Sequence, residues 1–200
     1  LPNLEKHVEN IKRFNVTPII AVNQFTSDTE AEFDVLRSAA EKMGVAIAIA
    51  NVWGKGGEGA LDLAQKVVEI VEATTEPFTP LYDWESPVKE KIETIATQIY
   101  GAEHVDYSYQ AKRDLKKIQD LGLEKLAVCI AKTQKSLSDN PKLLGRPKDF
   151  IITVREIEIA AGAGFLIPIT GSIMRMPGLP AHPASERIDI DDNGNISGLF

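Results

Sequence analysis

Residues 16–23 read VTPIIAVN, a short apolar run rich in β-branched side chains. Such a run is typical of a strand that is buried on both faces of a parallel sheet, and Pro18 fits the beginning of a strand. Residues 45–52, which read VAIAIANV, form a second run of the same kind. The two runs predict two neighbouring strands in the interior of a sheet.

Helical patterns separate and follow these two strands. Residues 26–30, TSDTE, supply N-capping side chains before apolar residues recur at helical spacing, and Gly44 ends that helix. A second helical pattern carries Leu61, Leu63, Ala64, Val67, Val68 and Val71. The β-α-β-α order predicts a parallel, Rossmann-like sheet with right-handed crossovers, in which ligands bind beyond the carboxyl ends of the strands.

The rest of the chain has a different organisation. Prolines at positions 77, 80 and 87, with aromatic residues between them, are typical of a surface connector. Beyond it the patterns predict helices over 88–100 and 109–121, strands over 126–131, 150–159 and 165–169, a glycine-containing turn over 160–164, and two short extended pieces in the tail over 189–200. We therefore predict an α/β fold: a parallel-sheet domain over residues 1–101, followed by a smaller α+β domain over residues 102–200.

Composition and charge exclude several classes of protein. The chain has 22 basic and 29 acidic residues, a formal charge of -7 and a pI near 5.1, which oppose binding to nucleic acids or to anionic membranes. No apolar run approaches the roughly 18 residues of a bilayer span, and residues 1–10 lack the order of a secretory signal. The chain begins with Leu-Pro-Asn and a helical pattern with no strand before it, which indicates a piece of a longer protein.

The residues suited to catalysis or metal binding are scattered. A single cysteine, Cys129, excludes an intrachain disulfide and a cysteine-clustered zinc site, favours the cytoplasm, and is predicted to be buried between Val128 and Ile130. The three histidines are far apart, and Asp189, Asp191, Asn193 and Gly194 begin a calcium-loop pattern whose twelfth position is Phe200. We expect a simple turn there, no metal site, and no catalytic acid, base or nucleophile.

A glycine cluster follows the second strand. Residues 54–59, GKGGEG, fit the pattern G-x-G-x-x-G and precede a helix, where backbone N–H groups can receive an anion. Gly54, Gly56 and Gly57 are therefore candidate cofactor-binding residues, although the cluster also suits another ligand or a tight turn. Trp53 precedes the cluster and no strand ending in an acidic residue follows promptly, both of which oppose a dinucleotide site. The chain contains no G-x-x-x-x-G-K-[ST] loop for the phosphates of ATP.

Two aromatic residues, Phe25 and Trp53, follow the two predicted strands. A planar ligand could enter between their rings, and Asn23 and Asn51 could add hydrogen bonds. The same aromatic side chains could instead cap the core. Because offset stacking contributes roughly 0.5 to 1.5 kcal/mol per ring pair, two rings would make a useful clamp for a heterocycle.

Several blocks of sequence, in the same order, resemble the formate–tetrahydrofolate ligases, and the resemblance covers essentially all 200 residues. The blocks are residues 3–10 (NLEKHVEN), 28–32 (DTEAE), Trp53 with the glycines after it, 131–134 (AKTQ), 136–139 (SLSD), 161–165 (AGAGF) and 176–180 (MPGLP).

This resemblance implies a reaction. In the family, ATP phosphorylates formate, and N10 of tetrahydrofolate attacks the resulting formyl phosphate to give 10-formyltetrahydrofolate. The resemblance implies that Phe25 and Trp53 sandwich the pterin, with the glycine stretch shaping the cleft. It also implies a missing amino-terminal P-loop domain that handles ATP with Mg²⁺, activation by a monovalent cation, a homotetramer, and a cytoplasmic location.

Three hypotheses therefore stand. The first is that the chain is the carboxyl-terminal part of this ligase, inactive alone, supplying part of the folate pocket and an assembly surface. The second is a binding or oligomerisation module whose folate site does not form until the missing domain docks. The third, which takes the glycine pattern at face value, is a dinucleotide-binding oxidoreductase domain.

Overall fold

A computed structural model of the chain describes residues 1–133, 136–173 and 180–199. Two of the blocks that carry the resemblance, 131–134 and 176–180, therefore lie partly outside the described residues. The helices and strands, in chain order, are α1 (Pro2–Lys12), β1 (Ile19–Asn23), α2 (Glu30–Met43), β2 (Ala46–Ala50), α3 (Val52–Lys55), a 3₁₀ helix (Gly56–Ala60), α4 (Leu61–Ala73), α5 (Val88–Thr94), a π-helix (Ile95–Tyr100), β3 (His104–Tyr107), α6 (Tyr109–Asp120), β4 (Ala127–Val128), β5 (Ile151–Ala160), β6 (Phe165–Thr170), a second 3₁₀ turn (Ala184–Glu186), β7 (Asp189–Ile190) and β8 (Ile196–Ser197).

The first sheet consists of β1 and β2, which pair in parallel with Ile20 opposite Ile47. Because side chains alternate across a strand, these two residues share one face of the sheet. On that face Ile20 packs with Val8 of α1 and Ala40 of α2. Helix α4 contacts β2, and the Lys66 ammonium donates to the Ile47 carbonyl over 2.9 Å. The predicted α/β fold with a parallel sheet is confirmed.

Helix α2 begins with a capping box. The Glu32 carboxylate accepts hydrogen bonds from the Thr29 N–H (2.9 Å) and the Thr29 hydroxyl (2.8 Å), an arrangement that satisfies backbone donors at a helix start. The helix ends at Gly44, whose φ of 63° is left-handed, as the sequence predicted. The hydrogen bonds from Thr29 lower the pKa of Glu32 below its ordinary value.

The capping box makes stability depend on pH. Because the folded state lowers the pKa of Glu32, its stabilising effect is complete above the unfolded value near 4.5 and is lost as pH falls through the folded value. We expect Glu32→Gln to flatten the pH dependence of the free energy of unfolding below about pH 5. Urea titrations of the chain from pH 6 to 3.5 measure this, with Glu41→Gln, on the same helix, as the control. An equal slope in E32Q and the unsubstituted chain would contradict the assignment.

The second sheet has the order β3-β5-β6-β4. Strands β5 and β6 are antiparallel and joined by the predicted glycine-containing turn, where Gly164 has a φ of 75°. Strand β3 runs parallel to β5, and β4 runs parallel to β6. The main core packs α5, the π-helix and α6 on this sheet, and its buried members include Val88, Ile92, Ala96, Ala111, Ile118, Ile152, Val154 and Leu166.

Three elements differ from the sequence prediction. Strand β3 was not predicted, because it is only four residues long and His104 and Asp106 interrupt its apolar pattern. The predicted strand over 126–131 is reduced to β4 and an isolated bridge at Ala131. The predicted helix over 88–100 divides into α5 and a π-helix, both of which pack in the core of the second sheet. The domain division at residue 101 stays a prediction.

Helix α1 connects the two sheets. Its Lys6 ammonium donates to the Gln98 carbonyl (2.8 Å), and its Asn10 amide donates to the Ile99 carbonyl (2.9 Å), both in the π-helix. Glu9 forms a bidentate ion pair with Arg146, with both N–O distances 2.8 Å. A π-turn breaks the regular i→i−4 ladder, which leaves carbonyl groups for partners outside the helix. The α1 side chains use two of these carbonyls.

Cys129 is exposed in this structure, which contradicts its predicted burial. Its N–H donates to the Leu166 carbonyl. Its neighbours Val128 and Ile130 both pack against the core of the second sheet, and because side chains alternate along an extended chain, Cys129 lies on the opposite, exposed face.

Among the described residues, no helix has the length and the apolar composition needed to cross a bilayer.

Candidate functional site

The carboxyl ends of β1 and β2 lie side by side. Asn23 is opposite Ala50 in the register, and the Gln24 N–H donates to the Ala50 carbonyl over 3.0 Å. Phe25 follows directly, and Trp53 lies three residues beyond Ala50. The structure therefore brings both predicted aromatic residues to the edge of the sheet where ligands of parallel sheets bind.

Phe25 is held by a tight turn. Its N–H donates to the Asp28 carboxylate over 2.8 Å, and the Asp28 N–H donates back to the Phe25 carbonyl over 3.1 Å. Phe25 is 61% exposed. The backbone of this residue is fixed while its ring faces solvent, so the residue does not cap the core.

Trp53 lies in α3, which is a single short turn. Asn51 caps it, with the side-chain oxygen accepting from the Gly54 N–H over 3.0 Å. Trp53 is 82% exposed. Asn23 and Asn51 were both predicted to hydrogen-bond a ligand. The side-chain oxygen of Asn51 already accepts a hydrogen bond within the protein, whereas Asn23 is exposed at the end of β1.

The glycine cluster folds back on Asn51. The Asn51 N–H donates to the Gly59 carbonyl over 3.0 Å. A Cβ atom at Gly59 would lie 2.0 Å from the Asn51 carbonyl oxygen, and one at Gly54 would lie 2.6 Å from the Asn51 side-chain oxygen. Gly56 has a φ of 57°. These three glycines are needed for close approach or a left-handed backbone, whereas a Cβ at Gly57 would meet no atom within 4 Å.

This geometry weighs against a dinucleotide loop. In such loops the first-turn N–H groups point at the pyrophosphate. Here the Gly54 N–H donates to the Asn51 side chain and the Lys55 N–H donates to the Asn51 carbonyl. The tight-turn interpretation therefore accounts for Gly54, Gly56 and Gly59 without a ligand.

Gly59→Ala should disrupt this loop. Because the new Cβ would overlap a backbone oxygen, we expect a loss of about 2 kcal/mol in the free energy of unfolding and displacement of α3, which carries Trp53. Chemical denaturation of the chain and the fluorescence of its tryptophans measure the two effects. Gly57→Ala is the matched control, with an expected change below about 0.5 kcal/mol. Equal stabilities for the two variants would contradict the close approach.

The charges around the site are few and exposed. Lys55 and Glu58 lie in the glycine loop, on the surface, and Asp28 is engaged by Phe25. Among residues 1–133, 136–173 and 180–199, no three His, Cys, Asp or Glu side chains cluster as a metal site would need. The chemistry that this surface offers is therefore aromatic stacking and hydrogen bonding.

Sequence reasoning missed the role of Asp28. We interpreted residues 26–30 as capping residues of α2, but the Asp28 carboxylate instead fixes the backbone of Phe25. An aspartate three residues after an aromatic that follows a strand is the only signal of this arrangement in the sequence.

A cavity of about 540 Å³, lined in part by Pro18 and Gly44, opens at the opposite end of the strands.

Comparison with known proteins identifies the family. A sequence model described as formate--tetrahydrofolate ligase matches residues 1–200. The chain belongs to the formate–tetrahydrofolate ligase family. A curated relative, the formate--tetrahydrofolate ligase of Syntrophus aciditrophicus (strain SB), is 54% identical over 199 residues. This alignment covers 100% of the chain but 35% of the relative, so the chain spans about a third of that ligase. Because the family is a ligase family, the oxidoreductase hypothesis has no support.

Proposed function

We propose that this chain is the carboxyl-terminal part of an ATP-dependent formate–tetrahydrofolate ligase and that it supplies one side of the folate pocket. The single observation that supports the pocket is the pair of exposed aromatic side chains, Phe25 and Trp53, at adjacent strand ends in a chain of this family. Large aromatic side chains that are exposed at a ligand-binding edge favour a binding role over a structural one.

In the proposed reaction, formate first takes the terminal phosphoryl group of ATP, which gives formyl phosphate and ADP. The N10 lone pair of tetrahydrofolate then attacks the formyl carbon and forms the C–N bond. The C–O bond to phosphate breaks, and the N10 proton leaves with the phosphate product. The formyl group is already activated, so the reaction requires no catalytic acid, base or nucleophile from these 200 residues.

The chain's own contribution is to hold the pterin. The turn at Asp28 and the cap at Asn51 fix the backbones that carry the two rings. Stacking on both faces would orient N10 toward the formyl carbon, and orientation of this kind lowers a barrier without further chemistry. We assign ATP, Mg²⁺ and an activating monovalent cation to an amino-terminal P-loop domain outside these residues. Such an enzyme would be a cytoplasmic homotetramer.

The exposure of both rings also favours a second candidate. Phe25 is 61% exposed and Trp53 is 82% exposed, so neither residue lies in a closed pocket. A half-site of this kind could remain without affinity for folate until the rest of the polypeptide docks. The chain alone would then be a binding or assembly module.

One titration separates the two candidates. Tetrahydrofolate is titrated by anaerobic calorimetry into the 200-residue chain and into its Trp53→Ala variant. Saturable binding that the variant loses would support a pterin clamp that works within this chain. Absence of binding to either protein would support the half-site, and equal binding to both would contradict the role of Trp53.

A further inference from the structure

Helix α4 carries an apolar face that no described residue covers. Leu63, Lys66 and Ile70, spaced three and four residues apart, are half-buried toward the protein. Ala64, Val67, Val68 and Val71 form a second stripe at helical spacing, and all four are exposed. The three valines are 41%, 52% and 66% exposed. A helix that is apolar on two faces is normally buried on both of them.

The sheet beside α4 also has an open edge. In the described residues β1 pairs with β2 alone, so alternate N–H and C=O groups along its other edge have no strand partner. Parallel sheets are characteristically covered on both faces, and the run IIAV of β1 is typical of an interior strand. Both features indicate that β1 is an interior strand of a larger sheet.

A groove joins these two features. A cavity of about 280 Å³ is lined mostly by Val16, which precedes β1, by Ile19 at the start of β1, and by Val67, Ile70 and Val71 of α4. Ile19 lies on the face of β1 opposite Ile20, so this groove is on the opposite face of the sheet from α1 and α2. The lining is mainly apolar, which suits an aliphatic side chain from another helix.

The chain exposes more surface than a compact monomer of its mass. The accessible surface is 13262 Å², whereas a folded monomer of 21.9 kDa exposes about 9300 Å² on the size scaling of monomeric proteins. The excess of about 4000 Å² belongs to the chain as a whole, and a standard specific interface buries about 800 Å² on each partner. The excess is therefore large enough to include an interface at α4 and β1.

We propose that the exposed α4 stripe and the open edge of β1 form one docking surface for a β-strand and an apolar helix from the rest of the ligase polypeptide. The strand extends the sheet beside β1, and the helix packs against Val67, Val68 and Val71. A parallel neighbour needs a crossover of a dozen residues or more within the same chain, which favours the same polypeptide over a second copy. The proposal rests on the proposed function only in taking the chain as part of a longer ligase.

Hydrogen exchange tests the occupancy of this surface directly. The amides of α4 and β1 are compared in the 200-residue chain and in a full-length ligase that carries these residues. We expect exchange at least about tenfold slower in the full-length protein, because docking removes local opening. Equal exchange in both proteins would overturn the proposal. Protection in the short chain that grows with its concentration, with dimers in sedimentation, would instead assign the surface to a second copy.

Substitutions provide an independent test. Val68→Asp and Val71→Asp should lower the unfolding temperature of the full-length ligase by roughly 3–6 °C, or prevent its folding, and should change that of the short chain by less than about 1 °C. Gln65→Asp places the same residue on the same helix at an exposed polar position and is the matched control. Equal effects of V71D and Q65D in the full-length protein would contradict docking. These readouts need no folate, so they are separate from a failure of the pterin site.

Discussion

Trp53→Ala should raise the KM for tetrahydrofolate of the full-length ligase by roughly 10- to 100-fold. Trp53 is 82% exposed in this chain, so covering its indole with a pterin removes on the order of 100 Å² of apolar surface from water, worth about 2.5 kcal/mol. Stacking adds roughly 0.5 to 1.5 kcal/mol, and each 1.4 kcal/mol is a factor of ten. Ordering of the indole ring on binding offsets part of this free energy, and the remainder corresponds to the expected rise in KM of roughly 10- to 100-fold.

Two variants control this measurement. Trp53→Phe keeps a ring on α3 and should recover most of the affinity. Trp84→Ala removes the chain's other tryptophan, which is also exposed (53%) but lies in the connector before α5, and should leave the KM unchanged. An unchanged KM for tetrahydrofolate in W53A would remove Trp53 from the folate site. Since the KM for ATP reports on a different part of the enzyme, it should stay the same in all three variants.

Lys91→Met should destabilise the chain by about 3–5 kcal/mol. The Lys91 side chain is fully buried, and its ammonium donates to the carbonyls of Trp84 (2.7 Å), Glu124 (3.0 Å) and Leu126 (3.3 Å). Methionine keeps the length and the apolar stem but leaves three carbonyls without this donor, each at about 1–3 kcal/mol if no other partner reaches it. Burial lowers the pKa of Lys91, because desolvation disfavours the charged ammonium.

Denaturant unfolding of the chain gives the size of this effect. Lys89→Met is the matched control: Lys89 lies two residues away on the same helix, with a 61% exposed side chain that pairs with Glu93 on the surface. Its loss should cost less than about 1 kcal/mol. If K91M and K89M were equally stable, the three carbonyls would not depend on the Lys91 ammonium. Because this lysine joins the connector to the segment before β4, the change should also loosen the second sheet.

The sequence predicted the elements whose signals are local. The apolar runs at 16–23 and 45–52 predicted β1 and β2, since a strand buried in a parallel sheet reads as an unbroken apolar run. Residues 26–30 and Gly44 predicted the two ends of α2 through capping chemistry, which depends only on adjacent residues. The sequence also predicted that Phe25 and Trp53 lie at one edge of the first sheet, because the carboxyl ends of neighbouring parallel strands lie side by side.

The sequence alone did not predict what depends on distant partners. The apolar pattern of 88–100 is the same for an α-helix and a π-helix, and the choice is coupled to the carbonyls that Lys6 and Asn10 contact from some 90 residues away. The burial of Lys91 follows from three carbonyls that only the folded chain brings together. Cys129 is exposed because Val128 and Ile130 face the core of the second sheet, which leaves the residue between them on the opposite face.

The sequence by itself determined the α/β class, the parallel pairing and the edge at which the aromatic residues lie, because periodicity and capping act within a few residues. Only the tertiary structure decided which apolar faces are covered. The valines of α4 have the same pattern as core residues, yet 41% to 66% of each is exposed. Burial depends on whether a partner is present, and the sequence of one element does not contain its partner.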